Sequence, residues 1–357
     1  MIDAIVIGGG IAGVSIGARL APHMSVHLVE AEEALGYHAS GRSAAMFEET
    51  YGKPSTVALN EASRADHETL DGGVLRPRGL MLITQEDDAT FREDMRVMKM
   101  DEISVAEARE MIPILDANKL IAAGHHADAW DIDTDRLIQF FTREIRAHGG
   151  TMQTKAPVTA IRKAGHWIVT AGGVEIEARL LINAAGSWVD EIAKMAGVAP
   201  IGFTPLRRSM ARLAAPGGHD TSGWPMLFGP GENWYAKPDA GALLVSPADE
   251  GPSAPMDAWA DDMVLAEGLA RYEDHVTEPV TRPIATWAGL RTFAPDRNLC
   301  IGFDPTAPDF VWCAGQGGYG FQTAPAASRF GADMVLGRAS ELDAATQDLL
   351  TPARFRV

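Results

Sequence analysis

The sequence is poor in cysteine, in basic residues and in long apolar segments. Cys300 and Cys313 are its only cysteines among 357 residues, and neither belongs to a CxxC pair, so we expect neither a disulfide framework nor a zinc site. Lysine and arginine number 31 against 48 acidic residues, and the resulting net charge of −17 argues against a basic groove for nucleic acid. No apolar run approaches the roughly 18 residues of a membrane span.

The amino terminus opens directly on an apolar segment, MIDAIVI, without a basic stretch or a cleavage site. We therefore expect no signal peptide. Together with the low cysteine content, this favours a cytoplasmic location, with a peripheral position at the inner membrane as the alternative. The composition, 46% hydrophobic and 22% charged, is typical of one large globular domain or two interleaved ones.

Apolar periodicity predicts a βαβ unit at the amino terminus, with a strand at 2–7, a helix from 11 and a second strand at 25–30. Residues 205–287 are predicted mainly as strand and loop. The other predicted elements are helices near 54–70, 88–98, 104–112, 134–148 and 323–337, and strands at 79–84, across 157–182, in a hairpin at 233–247 and at 309–315.

A glycine-rich turn separates the first strand from the first helix. Gly8, Gly10 and Gly13 have the spacing GxGxxG. In this motif the first glycine permits a tight turn, the second lets backbone amides approach a pyrophosphate, and the third brings helix and strand together. Glu30 ends the second strand, where it can accept hydrogen bonds from a ribose 2′-hydroxyl and would repel a 2′-phosphate. This context predicts a dinucleotide site.

Two later segments, INAAGSW at 182–188 and GQGGYGFQTAP at 315–325, also place glycine at the end of a predicted strand. A long cofactor with a tricyclic ring needs contacts spread over such segments. The small residues of GRSAA at 41–45 would let the backbone lie flat against it. Amides at 317–320, just before a helix, would face the flavin edge where negative charge accumulates on reduction. The pattern favours FAD over NAD.

Six segments, in order along the chain, resemble the flavoproteins of the D-amino-acid oxidase-like superfamily: GGGIAG, GRSAAMF, the DxD helix start at 131–133, INAAGSWVDEIA, WAGLRTFAPDRNLCIG and GQGGYGFQTAP. PLRRS, WYAKPDAG, WAGLR and GQGGYGFQT look most like the bacterial D-arginine dehydrogenase group. The resemblance implies an α/β fold. A glutathione-reductase-like FAD-binding Rossmann domain (1–75, 133–203 and 288–357) would be interleaved with a mixed-sheet α+β substrate domain (76–132 and 204–287).

The resemblance also implies where FAD binds. Some relatives attach flavin through a cysteine in the WAGLRTFAPD region; this chain has none there, so we expect non-covalent FAD. The residues predicted to contact it are Gly8, Gly10, Ile11, Ala12, Gly13, Glu30, Ala31, Gly41, Arg42, Ser43, Ala44, Ala45, Val158, Ala185, Gly186, Trp188, Gly315, Gly317, Gly318, Tyr319, Gly320, Gln322 and Thr323.

Two arginines are candidates for binding a substrate carboxylate, because the planar guanidinium pairs with both oxygens. Arg291 follows an apolar strand in WAGLRTF, and Arg208 lies in PLRRS. In the resembled group the arginines at these positions bind the carboxylate. From the residues alone, Arg208 could instead be a surface charge, and Arg291 could cap a helix or pair with Asp296.

Four further substrate contacts follow from the same resemblance. Tyrosines matching Tyr51 and Tyr235 add hydroxyl contacts in that group, and glycines matching Gly289 and Gly318 supply backbone groups. Tyr235 could alternatively be a core aromatic.

Met46 and Glu48 mark departures from the resembled group, which has histidine and threonine there. The acid that binds the guanidinium of arginine in that group aligns with Leu80. A histidine base is therefore missing at 46, and Met46 and Leu80 predict a pocket suited to apolar side chains. Glu48 could accept a proton or contact a basic substrate, or it could face solvent.

GHHADAWD at 124–131 brings His125, His126 and Asp128 together, but no third ligand arrives at a suitable spacing, so we expect no metal. No GxSxG motif occurs, and no cysteine lies beside a plausible histidine base, so covalent hydrolytic chemistry has no support.

The sequence therefore predicts FAD-dependent oxidative deamination of a D-amino acid by hydride transfer from the α-carbon, giving a 2-oxo acid and ammonia through an imine. The alternatives are oxidation of a secondary amine, such as an N-alkyl amino acid, or of a 2-hydroxy acid, and a non-catalytic FAD-binding subunit of a larger complex. We expect a small amino-acid-like substrate as the partner, with oxygen or a quinone as the open choices of electron acceptor.

Overall fold

Two large sheets, with a small three-stranded sheet beside them, carry the fold of this chain. The structure is a computed structural model that describes residues 1–356. Its helices are α1 (Ile11–Leu20), α2 (Pro54–Thr69), α3 (Ala89–Val97), α4 (Val105–Met111), α5 (Thr134–Ala147), α6 (Val189–Met195), α7 (Asp262–Glu273), α8 (Gly320–Leu336) and α9 (Ala344–Leu350).

The strands, in chain order, are β1 (Ile2–Ile7), β2 (Val26–Val29), β3 (Met46–Phe47), β4 (Leu75–Pro77), β5 (Leu80–Thr84), β6 (Asp101–Ile103), β7 (Ala122–His126), β8 (Trp130–Ile132), β9 (Thr151–Gln153), β10 (Val158–Lys163), β11 (Trp167–Ala171), β12 (Val174–Asn183), β13 (Thr204–Ala214), β14 (Met226–Phe228), β15 (Tyr235–Asp239), β16 (Ala242–Ser246), β17 (Gly251–Pro252), β18 (Ala285–Phe293), β19 (Cys300–Asp304) and β20 (Ala307–Ala314).

The first large sheet is parallel at its centre, where β9, β2, β1, β12 and β20 lie side by side in that order. Alternate side chains of β1 go to opposite faces. Ala4 and Val6 pack with α1, α5 and α8, whereas Ile5 and Ile7 pack with α6 and β11. Full burial of one isoleucine contributes roughly 1.5–3 kcal/mol, so both faces stabilise the strand. The predicted βαβ unit is confirmed.

The second large sheet is mixed, in the order β17-β13-β16-β15-β14-β5-β7-β6, with β18 on the free side of β13. Only β14 and β5 pair in parallel. Met81 and Ile83 of β5 pack against α4 and α7 on one face, and Leu80 and Leu82 lie on the other face with Tyr235. Phe91 and Met95 of α3 cover part of this second face, and Leu80 and Tyr235 on it line a cavity.

Several local predictions are confirmed by these elements. The hairpin predicted at 233–247 is β15–β16. Asp133 caps α5 by accepting a hydrogen bond from the amide of Arg136 at 3.0 Å, as its position before the apolar pattern predicted. None of the helices within residues 1–356 combines the length and apolar character that a membrane crossing requires.

Helix α7 was missed, because residues 205–287 were predicted as strand and loop. Gly268 lowers the helix propensity of its middle, and only Leu265, Gly268 and Tyr272 of this helix are buried, so the apolar pattern is weak. The glycine is needed for packing, since a Cβ at 268 would lie 2.5 Å from Cα of Pro247. The cap at Asp261, whose carboxylate accepts from two amides, was the available signal.

Residue 288, where the sequence predicted a domain boundary, lies inside β18. All nine residues of this strand pair with β13, so the second sheet continues to Phe293. Helix α8 also begins earlier than predicted, at Gly320 rather than at 323.

His67 gives the fold a measurable pH dependence. Its ring is fully buried on α2, with Nε2 donating to the carbonyl of Gln322 on α8 at 2.9 Å. Burial lowers the pKa of His67 from its ordinary 6.5 to about 4. The folded ring therefore stays neutral while the unfolded one takes up a proton, and stability present above pH 6.5 is lost as the pH falls towards 4.

We expect the free energy of unfolding to fall by about 3 kcal/mol over this pH range through His67 alone. His67→Gln keeps an N–H donor without titrating, so its unfolding free energy should depend less steeply on pH between 6.5 and 4. Denaturant unfolding at a series of pH values measures both slopes. Identical slopes would show that His67 titrates with the same pKa in the folded and the unfolded protein.

Candidate active site

The glycine turn after β1 brings helix and strand into direct backbone contact. Gly8 has a φ of +110°, a conformation that side-chain-bearing residues rarely adopt. A Cβ at Gly13 would lie 1.9 Å from the carbonyl oxygen of Gly8, so only glycine allows α1 to start here. The geometry agrees with the roles predicted for both residues.

Glu30 follows β2 at the edge of the same turn. Its Oε2 accepts a hydrogen bond from the amide of Gly9 at 2.6 Å, and its Oε1 accepts from the amide of Glu32 at 2.9 Å. These bonds fix the carboxylate beside the turn, where it lines a cavity. A carboxylate fixed in this way is suited to accept from a hydroxyl group.

Three cavities with shared walls run between the two large sheets. The first, of about 320 Å³, is lined by Gly8, Gly10 and Glu30. The second, of about 130 Å³, shares Gly10 with the first and Arg291 with the third. The third, of about 520 Å³, contains both Arg208 and Arg291. Together they form an elongated space from the end of β2 to the strand pair β13–β18.

Two helix N-termini open onto these cavities. Helices α1 and α8 begin after Gly10 and Tyr319, and neither has a cap from its own N-cap side chain or an acidic residue in its first turn. In α1 the hydroxyl of Ser40 accepts from the amide of Ile11 at 3.0 Å. The remaining amides and the helix dipoles favour negative charge in the cavities. By contrast, a side chain caps each of α3, α4, α5, α7 and α9, namely Asp88, Ser104, Asp133, Asp261 and Asp343.

The structure brings most of the predicted cofactor residues to the cavity walls. Four do not line them: Gly13, Gly41, Gly315 and Thr323. Thr323 is fully buried, and its hydroxyl donates to the carbonyl of Tyr319 at 2.8 Å. The lining residues are Gly8, Gly10, Ile11, Ala12, Glu30, Ala31, Arg42, Ser43, Ala44, Ala45, Val158, Ala185, Gly186, Trp188, Gly317, Gly318, Tyr319, Gly320 and Gln322.

Arg42 lines the second cavity, but its charge is used elsewhere. The guanidinium donates to the carbonyl oxygens of Ala258 and Ala288, both at 2.9 Å, and pairs with Asp257. The side chain therefore ties the 39–46 segment to the second sheet.

The pairing of β13 with β18 places two arginines on one face. Arg208 lies opposite Gly289, and Arg291 is two residues further along the same strand as Gly289. Since side chains alternate along a strand, both guanidinium groups leave the sheet on the cavity side. Arg291 also packs on Gly318, where a Cβ would lie 3.2 Å from its Nη1. The glycine leaves room for the arginine.

The two guanidinium groups differ in their partners. Arg208 donates from Nε to the carbonyl of Asp249 at 3.0 Å and from Nη2 to Glu250 at 3.2 Å. Burial, and then the neighbouring charge of Arg291, lower its pKa. The guanidinium of Arg291 makes no hydrogen bond or ion pair within residues 1–356. It is therefore the cation that an anionic ligand in this cavity would neutralise.

The alternatives left open for these arginines are wrong. The side chain of Arg208 is only 10% exposed, so it is not a surface charge. Asp296 pairs with Arg354 at 2.7 Å rather than with Arg291.

Tyr51 and Tyr235 both line the third cavity. The Tyr51 hydroxyl donates to Glu232 at 2.9 Å, and burial together with the charge of Glu232 raises its pKa well above the usual range. Tyr235 is a buried aromatic as well as a wall residue, and the guanidinium of Arg208 lies 6.0 Å from its ring.

Met46 and Leu80 form part of the apolar wall of the third cavity, as predicted for a pocket. Glu48 also lines it, and its side chain is 7% exposed, so the solvent-facing alternative is wrong. The Oε1 atom accepts from the amide and the hydroxyl of Thr50 at 3.1 and 2.8 Å, and lies 3.6 Å from Nε2 of His126.

Sequence reasoning missed several wall residues of this cavity. Glu232, Phe228 and Met226 come from the 226–232 segment, and Asp94 from α3, where its carboxylate accepts from the amide of Gly231. The sequence does contain a turn signal, Pro230-Gly231, between two strands. It does not show that this turn lies at the cavity, because only the tertiary fold brings it there.

The predictions of no metal site and no cysteine attachment can be compared with the structure. No group of three potential ligands suited to a metal ion occurs within residues 1–356. Cys300 and Cys313 are buried away from the cavity walls, and burial raises the pKa of both thiols to about 12.

The model of the DAO family, described as FAD-dependent oxidoreductases, matches residues 3–334. This chain therefore belongs to that family. The narrower resemblance to the D-arginine dehydrogenase group stays a prediction.

Individual relatives vary in how much of them this chain covers. Mouse mitochondrial dimethylglycine dehydrogenase is 27% identical over 219 residues, which are 55% of this chain and 24% of that protein. The chain thus matches about a quarter of that relative's length. Glycine oxidase of Bacillus licheniformis is 27% identical over 362 residues, 94% of this chain and 93% of that protein.

Among solved structures, iminodiacetate oxidase from Chelativorans sp. BNC1 superimposes with a TM-score of 0.82 at 21% identity, covering 95% of this chain and 97% of that one. Glycine oxidase from Geobacillus kaustophilus gives 0.80 at 20% identity, covering 96% and 97%. These likenesses show the fold, and they agree with the predicted α/β architecture.

FAD is the cofactor of this family, and the residues of this chain fit it. The elongated space offers Glu30 at one end for a ribose, the start of α1 for phosphate groups, and the start of α8 near the two arginines. The predicted cofactor is confirmed by the family assignment.

Gly13→Ala tests the glycine turn. The added Cβ would meet the Gly8 carbonyl, so we expect a loss of about 1–3 kcal/mol in unfolding free energy and purification without FAD. Gly17→Ala is the matched control in the same helix, because its Cβ would meet only a flexible Ile145 methyl at 3.1 Å. Thermal unfolding and flavin absorbance measure both effects. A yellow Gly13→Ala protein as stable as the control would contradict this account.

Proposed function

We propose that this protein oxidises the bond between the α-carbon and the nitrogen of an amino acid, with a D-amino acid as substrate. The observation that carries the proposal is the unpaired guanidinium of Arg291, which lies beside Arg208 in a cavity of about 520 Å³. A cation without a partner in a partly buried site needs an anion, and a carboxylate suits the geometry of guanidinium. The D configuration rests on the resemblance of the arginine and tyrosine motifs alone.

The arginines and tyrosines position the substrate. Arg291, together with the Nη1 group of Arg208 that its own partners leave free, binds the carboxylate. Tyr235 and Tyr51 lie on the walls around it, with Tyr51 held in place by Glu232. Fixing the carboxylate at two points orients the α-carbon, which is the main contribution that a protein makes to such a reaction.

FAD, held along the walls of the first and second cavities, would supply the acceptor for the hydrogen and the electron pair of the α-carbon. The imine product leaves and reacts with water to give a 2-oxo acid and ammonia. Met46, Leu80 and Phe228 form the apolar side of the cavity and would accommodate the substrate's side chain.

A second candidate is oxidation of a secondary amine. Two relatives are named for N-substituted glycines, dimethylglycine dehydrogenase and iminodiacetate oxidase, and their similarity to this chain favours this candidate. The same carboxylate site would serve it, because such amines also carry a carboxylate next to the reacting carbon.

Anaerobic mixing of the FAD-loaded protein with D- and L-amino acids, N-alkyl amino acids and 2-hydroxy acids tests the proposal. We expect a D-amino acid to bleach the flavin bands fastest. Faster bleaching by an N-alkyl glycine would favour the second candidate, and no bleaching by any compound would contradict both.

The measured quantity is the rate constant for flavin reduction divided by the substrate dissociation constant. Arg291→Ala should lower this ratio at least about a hundredfold, because it removes a charged hydrogen-bonded pair worth roughly 3 kcal/mol. Arg208→Ala should lower the same ratio by a smaller factor. Arg207→Ala is the matched control, because Arg207 leaves the opposite face of β13 and lies over Trp259. A change at Arg291 no larger than at Arg207 would remove Arg291 from the site.

A further inference from the structure

Glu48 has a buried carboxylate in which only one of the two oxygens accepts hydrogen bonds. Its Oε1 accepts two hydrogen bonds from Thr50, whereas its Oε2 is buried without any hydrogen-bond partner. Within residues 1–356, the only ionisable partner within 4.0 Å of its carboxylate is His126. Burying an unpaired carboxylate is costly, so a chain that keeps one at a cavity wall gains something from it there.

The backbone around Glu48 is held in place by Asn60. This residue is fully buried on α2, and its Nδ2 lies 3.2–3.3 Å from the carbonyl oxygens of Glu48, Glu49 and Tyr51. These contacts with Asn60 fix the backbone of the turn, and Glu48 and Tyr51 both line the third cavity. A clamped turn suits a side chain that has to meet a ligand in a fixed geometry.

The charged groups around Glu48 differ in what they can do for it. His126 approaches from β7. Tyr51 follows in the same turn, but its hydroxyl is bonded to Glu232. The other ionisable groups on the cavity walls are Asp94, Glu232, Glu250, Arg208, Arg291, Arg297, Tyr235 and Tyr319. Arg64, nearly three turns along α2 from Pro54, is paired with Glu49 and Glu68.

We propose that Glu48 is a catalytic residue that takes the proton from the substrate's ammonium group before oxidation, an inference that rests on the proposed function. An N–H bond of the ammonium breaks as an O–H bond forms on the Glu48 carboxylate, which leaves a neutral amine and a neutral carboxyl group. The neutral amine then has the lone pair that the C=N bond requires when the α C–H bond breaks, and FAD, when bound, would supply the acceptor for that hydrogen and its electron pair. The proton on Glu48 passes to the imidazole of His126.

This assignment explains how the site works without a histidine at 46. Met46 has no group that can accept a proton, and an ammonium has no lone pair for the oxidation. Glu48, two residues later and on the same wall, supplies the acceptor. Its negative charge also attracts the ammonium before the proton moves.

The test compares ligands that bind but cannot be oxidised. 2-Aminoisobutyrate has no α-hydrogen, and isobutyrate is the same molecule without the amine. Dissociation constants for the FAD-loaded protein come from perturbation of the flavin spectrum. We expect wild type to bind 2-aminoisobutyrate about tenfold or more tighter than isobutyrate, and Glu48→Gln to lose this preference while binding isobutyrate as before.

Glu49→Gln is the matched control, because it removes the same charge from the same turn but from a carboxylate paired with Arg64. It should keep the preference for 2-aminoisobutyrate. A second pair, 5-aminopentanoate and pentanoate, carries the ammonium far from the carboxylate. Glu48→Gln could lose only the preference for 5-aminopentanoate over pentanoate and keep the preference for 2-aminoisobutyrate over isobutyrate. In that case Glu48 binds the substrate's side chain and the inference is wrong.

The pH profile of flavin reduction gives a second readout. In Glu48→Gln the amine must lose its proton to solvent, so the rate should rise only at more alkaline pH, towards the pKa of the free amine. An unshifted profile would overturn the inference while leaving the proposed function intact. Failure of every amine to reduce wild-type flavin would overturn both.

Discussion

The pairing of β13 with β18 is the constraint on which the rest of this site depends. Nine consecutive cross-strand pairs join the two strands. They fix Arg208 and Arg291 on one face, only two residues apart in register. Burial, and then the nearby like charge of Arg291, lower the pKa of Arg208. The backbone hydrogen bonds between β13 and β18 hold the two arginines close together, although their like charges repel each other.

Neighbouring acceptor groups pair with only one of the two guanidinium groups, that of Arg208. Glu250 bridges Arg208 to Arg297, and the carbonyl of Asp249 accepts from Arg208 as well. Arg291 is left with the small surface of Gly318 and no anion. Glu48, on the wall of the same cavity, is an acid whose only basic side chain within 4.0 Å in residues 1–356 is His126. An amino acid carries the two charges that such an arrangement lacks, which links the electrostatics to the proposed substrate class.

The sequence predicted well whatever depended on local chemistry. The GxGxxG turn, Glu30 and the capped α5 follow from backbone geometry that neighbouring residues dictate, and they were found. Arg208 and Arg291 were predicted through motif resemblance, and their alternatives were decided only by burial and by the pairing of Asp296 with Arg354. The contributions of Glu232 and Asp94 depend on long-range packing of the 226–232 segment against α3, which no local pattern encodes. Helix α7 was missed because its glycine serves packing on Pro247 rather than the helix.

The central claim is that Arg291 and Arg208 together bind a carboxylate next to FAD. A crystal structure of the FAD-loaded protein with 2-aminoisobutyrate tests it most directly. The account predicts that the carboxylate lies within about 3.2 Å of both guanidinium groups. A ligand bound elsewhere in the cavity, with both guanidinium groups turned away from it, would contradict the account.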